Sequence, residues 1–225
     1  MTAYGCGGYS WPMAWIFPKI YPILDSSTIP ASGRGEYLLR LGCELAEVGV
    51  TLLEYRNKTG SVTELIADAA ILRSTMHGAG IKLVLDDRAD LVEIMGFDGV
   101  HVDAGDMEVA EARRLLGSER IVGTYGGTEE LLPGILELPA TYFSVGPVGV
   151  TQTKETSKAP IGVAGVRKLR DQAGSGAVLV AAGGVTLENA AAVLAAGASA
   201  VAVSAGLFRT PDPAAEFRRW QQRLG

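Results

Sequence analysis

The chain has 225 residues, a formal net charge of -5 and only two cysteines, Cys6 and Cys43. This acidic balance argues against a nucleic-acid partner, which needs clustered Lys and Arg. The two cysteines form neither a disulfide framework nor a metal-ligand spacing, so we expect a reducing, cytoplasmic environment. No run of 18 or more apolar residues is present, and we therefore expect no membrane span.

The first 18 residues differ in composition from the rest of the chain. Trp11, Trp15 and Phe17 stand there among Gly and Pro, and no Lys or Arg precedes Lys19. A secretory signal has a basic start and a longer apolar run, so we interpret residues 1–18 as an N-terminal extension. It would pack on the main domain, residues 19–225, or on a partner chain, which leaves a homo-oligomer open.

From Lys19 onward, short runs typical of buried strands alternate with stretches of helical period. Eight such units predict a single-domain α/β fold, the (β/α)8 TIM barrel, with an open doubly wound sheet as the competing arrangement. The predicted strands are Ile20–Leu24, Val50–Tyr55, Lys82–Leu85, Gly99–His101, Ile121–Gly123, Tyr142–Val145, Val178–Ala181 and Ala200–Val203. The predicted helices are Glu36–Val48, Val62–His77, Leu91–Met95, Val109–Leu116, Leu187–Ala196 and Pro213–Leu224, with weaker patterns at Thr128–Leu138 and Val163–Ala173.

The last two units indicate a phosphate site. Strand seven runs into Gly183-Gly184, and strand eight runs into Val203-Ser204-Ala205-Gly206. In barrels a phosphate often sits between these two loops, at the start of a short extra helix. Glycines let the backbone approach the anion, and free N–H groups hold it. The alternative is two tight turns without a ligand.

Charged residues follow several other strands. Glu54, Arg56 and Lys58 alternate at the end of strand two, and two cations on one face suit a diphosphate. Asp87 follows strand three and Asp106 follows strand four. Two carboxylates beside bound phosphates are the hard oxygen ligands that Mg²⁺ takes, so we expect Mg²⁺ as a cofactor.

A loop after strand six, from Gly146 to Lys154, carries two hydroxyls and an ammonium. Such a loop could fold over an anion and close the site. Each motif has an ordinary structural explanation when it is taken alone, such as a helix cap or a solvated ion pair. Together they favour one binding site for phosphorylated small molecules, because all of them fall at the same end of the predicted barrel.

These residues resemble the thiamine phosphate synthase family over most of the chain. The family's Gln-x-Arg-x-Lys is similar to Glu54-Tyr55-Arg56-Asn57-Lys58, and its Asn-Asp-Arg to Asp86-Asp87-Arg88. Its Gly-Val-His with a following Asp resembles Gly99-Val100-His101 and Asp106. The most specific match is the family's Gly-Pro…Thr-x-Thr-Lys, which is intact as Gly146-Pro147 and Thr151-Gln152-Thr153-Lys154.

The resemblance implies an Mg-dependent transferase of thiamine biosynthesis with a barrel fold. The family joins hydroxymethylpyrimidine diphosphate to thiazole phosphate and releases diphosphate. Catalytic roles at the diphosphate would fall to Arg56, Lys58 and Lys154, and the metal to Asp87 and Asp106. The implied substrate contacts are Glu54, Tyr55, Asn57, Asp86, Thr124, Thr151, Gln152, Thr153, Gly184, Val203 and Ser204.

Five positions depart from the family pattern. Glu54 stands for Gln, Asp86 for Asn, Thr124 for Ser, and Asp103-Ala104 for Gly-Gln. Extra carboxylates repel diphosphate unless they are protonated, paired or metal-bound. Two other functions therefore stay open: an isomerase resembling the thiazole tautomerase, and a non-catalytic binder of a thiamine-pathway phosphate. The tautomerase has a His after strand five, where this chain has Gly123-Thr124-Tyr125-Gly126-Gly127.

Overall fold

The fold is that of a closed parallel barrel, given by a computed structural model that describes residues 16–151 and 157–225. Each strand pairs with the next in parallel, and the first strand pairs with the eighth, so the sheet has no edge. The TIM barrel is confirmed and the open-sheet alternative is wrong. The strands are β1 Ile20–Asp25, β2 Leu52–Arg56, β3 Lys82–Asp86, β4 Gly99–Val102, β5 Ile121–Gly127, β6 Tyr142–Val145, β7 Leu179–Ala181 and β8 Ala200–Val203.

Helices lie between the strands on the outside of the barrel. Among the described residues, none of these helices is long and apolar enough to cross a membrane. A short helix follows β8, as expected for a barrel with a phosphate site there. The helices are α1 Arg34–Glu47, α2 Val62–Met76, α3 Val92–Met95, α4 Val109–Leu116, α5 Gly162–Ala173, α6 Leu187–Ala195, α7 Ala205–Phe208 and α8 Pro213–Leu224.

The helix predicted at Thr128–Leu138 is wrong. All of these residues are described, and they form a bridge between Gly127 and Leu131 and one 3-10 turn at Ile135–Glu137. Pro133 and Gly134 explain the difference, because proline removes a backbone donor and Gly134 adopts the left-handed φ of 70°. Strand β5 is correspondingly longer than predicted.

Alternate strand residues divide the apolar core into an inner and an outer part. Tyr21, Leu52, Val84, Ile121 and Tyr142 belong to a cluster inside the barrel, while their strand neighbours pack against the helices. Phe17 of the expected N-terminal extension joins the inner cluster, with its ring 5.6 Å from that of Tyr21 and 5.1 Å from that of Tyr142. The part of the extension before residue 16 lies outside the described residues.

Arg170 of α5 ties together the loops at the amino ends of β7 and β8. Its guanidinium donates to the carbonyl oxygens of Gly174 (2.6 Å), Ala177 (2.9 Å) and Gly197 (2.7 Å), and to Oγ of Ser199 (3.2 Å). Loop carbonyls at a helix end have no partner in the helix, and the arginine provides one. The amino end of the barrel is thus held by side-chain-to-backbone bonds.

Arg113 of α4 makes the corresponding set of contacts two strands earlier. It donates to the carbonyl oxygens of Gly117 (2.8 Å), Arg120 (2.6 Å) and Pro139 (3.0 Å), and to Oγ1 of Thr141 (3.1 Å). The same device therefore appears twice, at the end of the barrel that conventionally carries stability and not chemistry.

Replacing Arg170 with Ala should lower the free energy of unfolding by about 3 kcal/mol, because several partly buried carbonyls lose a charged donor. Lys168→Ala on the same helix is the matched control. Lys168 makes an exposed ion pair with Glu130 at 3.6 Å, and its loss should cost less than about 0.5 kcal/mol. Denaturant unfolding measures both variants, and equal effects would contradict the role given to Arg170.

Candidate active site

A cavity of about 670 Å³ opens at the carboxyl ends of the strands. Its walls come from almost every strand and from the loops after β6, β7 and β8, so the barrel closure itself assembles it. The predicted site residues that line it are Glu54, Arg56, Asp86, Thr151, Gly184, Val203 and Ser204. Of the three residues predicted to share one face at the end of strand two, Glu54 and Arg56 line the cavity and Lys58 does not.

Arg56 lies between carboxylates of the two neighbouring strands. Its Nη1 donates to Oδ2 of Asp25 at the end of β1, and its Nε lies 3.5 Å from Oδ2 of Asp86 at the end of β3. Lys58 approaches the same Asp86 oxygen at 3.0 Å and also pairs with Asp87. Asp86 thus does not face the cavity as an unpaired acid, which removes the repulsion expected from that departure.

Opposing effects act on the pKa values of this charged group. Burial and the neighbouring Asp87 raise the pKa of Asp86, while Lys58 acts in the lowering direction, and the net shift is upward. Burial lowers the pKa of Lys58, but the negative charges of Asp86 and Asp87 have the larger effect, so the pKa of Lys58 is raised overall. The lysine therefore stays cationic at neutral pH, as an anion-binding residue must.

Asp87 has an uncommon backbone conformation beside this group. Its φ is 65°, which makes it the one residue other than glycine in the described part of the chain with a positive φ. Its N–H donates to the carbonyl oxygen of His101 at 2.8 Å. Oδ1 of Asp87 is buried and has no hydrogen-bond partner among the described residues. Such a conformation at the rim of a cavity points to a functional constraint.

Asp106 lies next to Asp87, as the metal prediction requires. Its Oδ2 accepts from the N–H of Asp103 at 2.8 Å. Burial raises the pKa of Asp106, the Asp103 N–H acts against this, and the Asp87 carboxyl raises it further. Within the described residues, no three Asp, Glu, His or Cys side chains converge as a ready metal cage. The pair fits a hard cation that shares ligands with a phosphate and keeps waters.

The floor of the cavity is a buried hydrogen-bond network. The hydroxyl of Tyr21 donates to Oε2 of Glu54 at 2.9 Å and lies 3.0 Å from the hydroxyl of Tyr142. That hydroxyl lies 3.0 Å from Nδ1 of His101, whose Nε2 is 3.5 Å from Oδ1 of Asp103. Glu54 therefore turns down into the barrel and away from the Arg56 and Lys58 wall.

Burial dominates the acid–base behaviour of this floor. It raises the pKa of Glu54 to about 7, with the positive charge of His101 acting in the lowering direction. Burial alone would lower the pKa of His101, but Asp103 and Glu54 raise it to about 9. At neutral pH the floor thus holds an imidazolium and a carboxyl group that is close to its titration point.

Glycines after β7 and one serine after β8 form another part of the cavity wall. Gly183 and Gly184 have φ values of 77° and 68°, and a Cβ on Gly184 would come within 2.3 Å of the Gly149 carbonyl carbon. The loop after β6 therefore requires both glycines for packing, whatever they bind. Oγ of Ser204 is buried and has no hydrogen-bond partner among the described residues, so it is available to a ligand.

Three predicted substrate contacts point away from the cavity. The hydroxyl of Tyr55 donates to Asp68 of α2, and Asn57 donates to the Tyr55 hydroxyl at 3.1 Å and to Glu64 at 3.0 Å. Oγ1 of Thr124 donates to the Val102 carbonyl oxygen at 2.9 Å inside the barrel wall. These side chains hold the loop after β2 and strand β5, and they give no geometric support to substrate contact.

Other lining residues were missed in the sequence. The side chain of β5 that lines the cavity is Tyr125, one position after Thr124. Asp25, which contacts Arg56, and the floor tyrosines Tyr21 and Tyr142 were also missed, because only their positions on neighbouring strands bring them to the site. Gln152, Thr153 and Lys154 lie outside the described residues.

The raised pKa of Glu54 predicts how the stability of the protein changes with pH. In the folded protein the pKa of Glu54 is about 7, whereas its ordinary value is 4.5. The folded state therefore loses stability relative to the unfolded state as the pH rises from about 4.5 to about 7. The variant Glu54→Gln lacks this titration. Its free energy of unfolding relative to the parent should therefore rise between about pH 5 and about pH 8, by up to about 3 kcal/mol.

Denaturant unfolding at the two pH values measures this change, with the exposed Glu111→Gln as the control that should show none. The difference between variant and parent is the quantity compared, so the baseline effect of the substitution cancels. A Glu54→Gln difference that stays constant with pH would contradict the assignment.

Comparisons with known proteins agree with this geometry. A sequence profile of the family described as thiamine monophosphate synthase matches residues 20–207. The chain is 36% identical to the thiamine-phosphate synthase of Koribacter versatilis over 89% of this chain and 94% of that one. It is 37% identical to the enzyme of Chloroflexus aurantiacus over 89% and 90%. The structure of the thiamine phosphate pyrophosphorylase of Pyrococcus furiosus superimposes with a TM-score of 0.71 and 25% identity, covering 92% of this chain and 97% of that one. The chain belongs to the thiamine-phosphate synthase family of transferases in thiamine biosynthesis.

Proposed function

We propose that the chain couples hydroxymethylpyrimidine diphosphate to thiazole phosphate in an Mg-dependent reaction that releases diphosphate. The observation that carries this proposal is that two anion-binding features adjoin one cavity. Arg56 lines the cavity at the end of β2, with Lys58 beside it on the shared partner Asp86. Gly184 and Ser204 line the cavity after β7 and β8. A cavity of about 670 Å³ is large enough for two small phosphorylated substrates together.

The cationic side chains suit the diphosphate end of the pyrimidine substrate. Arg56 offers a planar fork of donors and Lys58 a point charge, and both neutralise the charge that develops on a departing diphosphate. Lys154 would add a third cation from the loop after β6. Loss of diphosphate breaks the bond to the pyrimidine methylene carbon, and the thiazole nitrogen then forms its bond to that carbon. The chain's contribution is to position the two partners and to stabilise charge.

The part of the wall after β7 and β8 suits the thiazole phosphate. Oγ of Ser204 would donate to a phosphate oxygen, and Gly184 lets the backbone come close to it. Val203 and Thr151 also line this part of the cavity, and Thr153 and Gln152 would join them from the following loop. The floor of the cavity carries Glu54, whose carboxyl group would contact the pyrimidine ring.

Asp87 and Asp106 would hold the Mg²⁺, which when bound neutralises the leaving diphosphate. The buried Oδ1 of Asp87 is without a partner among the described residues, and this supports the assignment. The charge balance supports it as well: Asp25, Asp86, Asp87 and Asp106 are four carboxylates against the two cations Arg56 and Lys58, which leaves two negative charges in excess. A divalent cation would offset that excess before a diphosphate binds.

We also propose a cytoplasmic location and no nucleic-acid partner. The acidic composition supports the second statement, and the free Cys43 is consistent with the first.

Incubation with both substrates and Mg²⁺ tests the proposal, with thiamine phosphate as the product measured. Product should form with Mg²⁺ and fail to form when the metal is chelated. Diphosphate should also tighten Mg²⁺ binding in titrations, because the two share ligands. Binding of the substrates without turnover would indicate a non-catalytic binder, and isomerisation of a thiazole substrate alone would indicate a tautomerase.

Replacing Lys58 with Ala should reduce kcat/KM by about 10²-fold, since a charged donor at the leaving group is lost and Asp86 and Asp87 lose their partner. Lys82→Ala is the matched control. Lys82 also pairs with an aspartate, Asp98 at 2.7 Å, but at the amino end of β3. Steady-state kinetics should show near-parental activity for that variant. Equal activity of both variants would contradict the diphosphate assignment.

A further inference from the structure

Asp25 is a buried acid that no part of the proposed chemistry uses. It ends β1, its side chain is 6% exposed, and it stands in register with Arg56 of β2. An ionised carboxylate in such a place needs compensating partners, or it would cost several kcal/mol. Its partners therefore indicate what the residue does.

Both carboxylate oxygens of Asp25 have fixed partners. Oδ1 accepts from the N–H of Ser27 at 3.0 Å and from its Oγ at 2.5 Å, in the turn that follows β1. Oδ2 accepts from Nη1 of Arg56. Burial raises the pKa of Asp25, but the bonds from Ser27 and Arg56 outweigh it and lower the pKa below its ordinary value. The carboxylate is thus charged, and Ser27 in the turn after β1 fixes its position independently of Arg56.

The two acids beside Arg56 differ in what else they bind. Asp86 shares its Oδ2 between Arg56 and Lys58, whereas Asp25 makes no ion pair with a second cation among the described residues. Together they engage Nη1 and Nε of the guanidinium. The Nη2 group receives no hydrogen-bond acceptor from the described residues and is left for a ligand in the cavity.

We propose that Asp25 is a positioning residue that fixes the guanidinium of Arg56 in the orientation needed at the leaving diphosphate. This inference rests on the proposed synthase function. An arginine side chain has several rotatable bonds, and ordering them before the reaction lowers the barrier. Ser27 contributes indirectly, because its hydrogen bonds fix the Asp25 carboxylate that accepts from Arg56.

A simple charge argument predicts the opposite sign for the loss of Asp25. A carboxylate near a diphosphate repels it, so Asp25→Asn would strengthen diphosphate binding and raise activity if charge alone mattered. Positioning predicts instead that kcat falls by at least about tenfold and that KM for the diphosphate substrate does not fall. The two accounts therefore differ in the direction of the kcat change.

The experiment measures kcat and KM of Asp25→Asn in the parent and in an Arg56→Ala background, with the fraction of folded protein determined by thermal melting. The expected result is a loss of kcat in the parent and no further loss once Arg56 is gone. Asp90→Asn is the matched control, since Asp90 pairs with Arg88 at 2.6 Å on the surface and should leave kcat unchanged.

A kcat within about twofold of the parent, or an equal loss in the Arg56→Ala background, would overturn the proposal. If Asp25→Asn does not fold, Ser27→Ala provides the same test, because the side chain of Ser27 is exposed and can be replaced more safely. We expect Ser27→Ala to lose kcat several-fold when Arg56 is present and to lose none in the Arg56→Ala background.

If the unmodified protein forms no thiamine phosphate, the proposed function itself has failed. In that case the affinity for inorganic diphosphate tests Asp25, and weaker binding in Asp25→Asn would support positioning while tighter binding would contradict it.

Discussion

The ion pairs that join Arg56 to Asp25 and Asp86 tie three neighbouring strands together at the carboxyl end of the barrel. All three side chains are largely buried, so each depends on the others for compensation of its charge. Lys58 extends the group to Asp87, which lies beside Asp106. The placement of the cationic side chains and of the candidate metal ligands depends on this alternation of charges. Removing one member leaves a buried charge unpaired, and this links stability to chemistry at this end.

The two ends of the barrel are built according to different physical requirements. At the amino end, Arg113 and Arg170 satisfy loop carbonyls. At the carboxyl end, Asp87 keeps a left-handed backbone, and Oδ1 of Asp87 and Oγ of Ser204 are buried without partners among the described residues. Groups that stay unsatisfied in the fold are costly, and they are tolerated where a ligand completes them. The contrast agrees with a functional face and a structural face.

Much of this architecture could be predicted from the sequence. Eight apolar runs and the polar residues after them predicted the barrel, the cavity end and the facing of Glu54 and Arg56, because strand alternation is a local property. The same alternation could not show whether Thr124 or Tyr125 faces the cavity. The pattern around Gly123 does not show which face of β5 is inside, and a register shift between Tyr125 and Gly127 disturbs the alternation. The places of Asp25, Tyr21 and Tyr142 in the site could not be predicted, because they depend on contacts between different strands.

The family resemblance left one question that the geometry answers in part. Two acids stand where the family pattern has amides, and each is accommodated in a different way. Asp86 pairs with Arg56 and Lys58, whereas Glu54 turns to the tyrosines and His101 of the floor. A paired carboxylate and one with a raised pKa both reduce repulsion of an anionic substrate. The departures are thus compatible with diphosphate chemistry.

One cavity should therefore hold both phosphate-bearing ligands, each at its own group of residues. Crystals grown with thiamine phosphate, Mg²⁺ and diphosphate test this arrangement. We predict diphosphate oxygens within hydrogen-bond distance of Arg56 and Lys58, and the phosphate of thiamine phosphate at Gly184 and Ser204. Electron density for both anions at one of these groups, or for either of them at the amino end of the barrel beside Arg170, would contradict it.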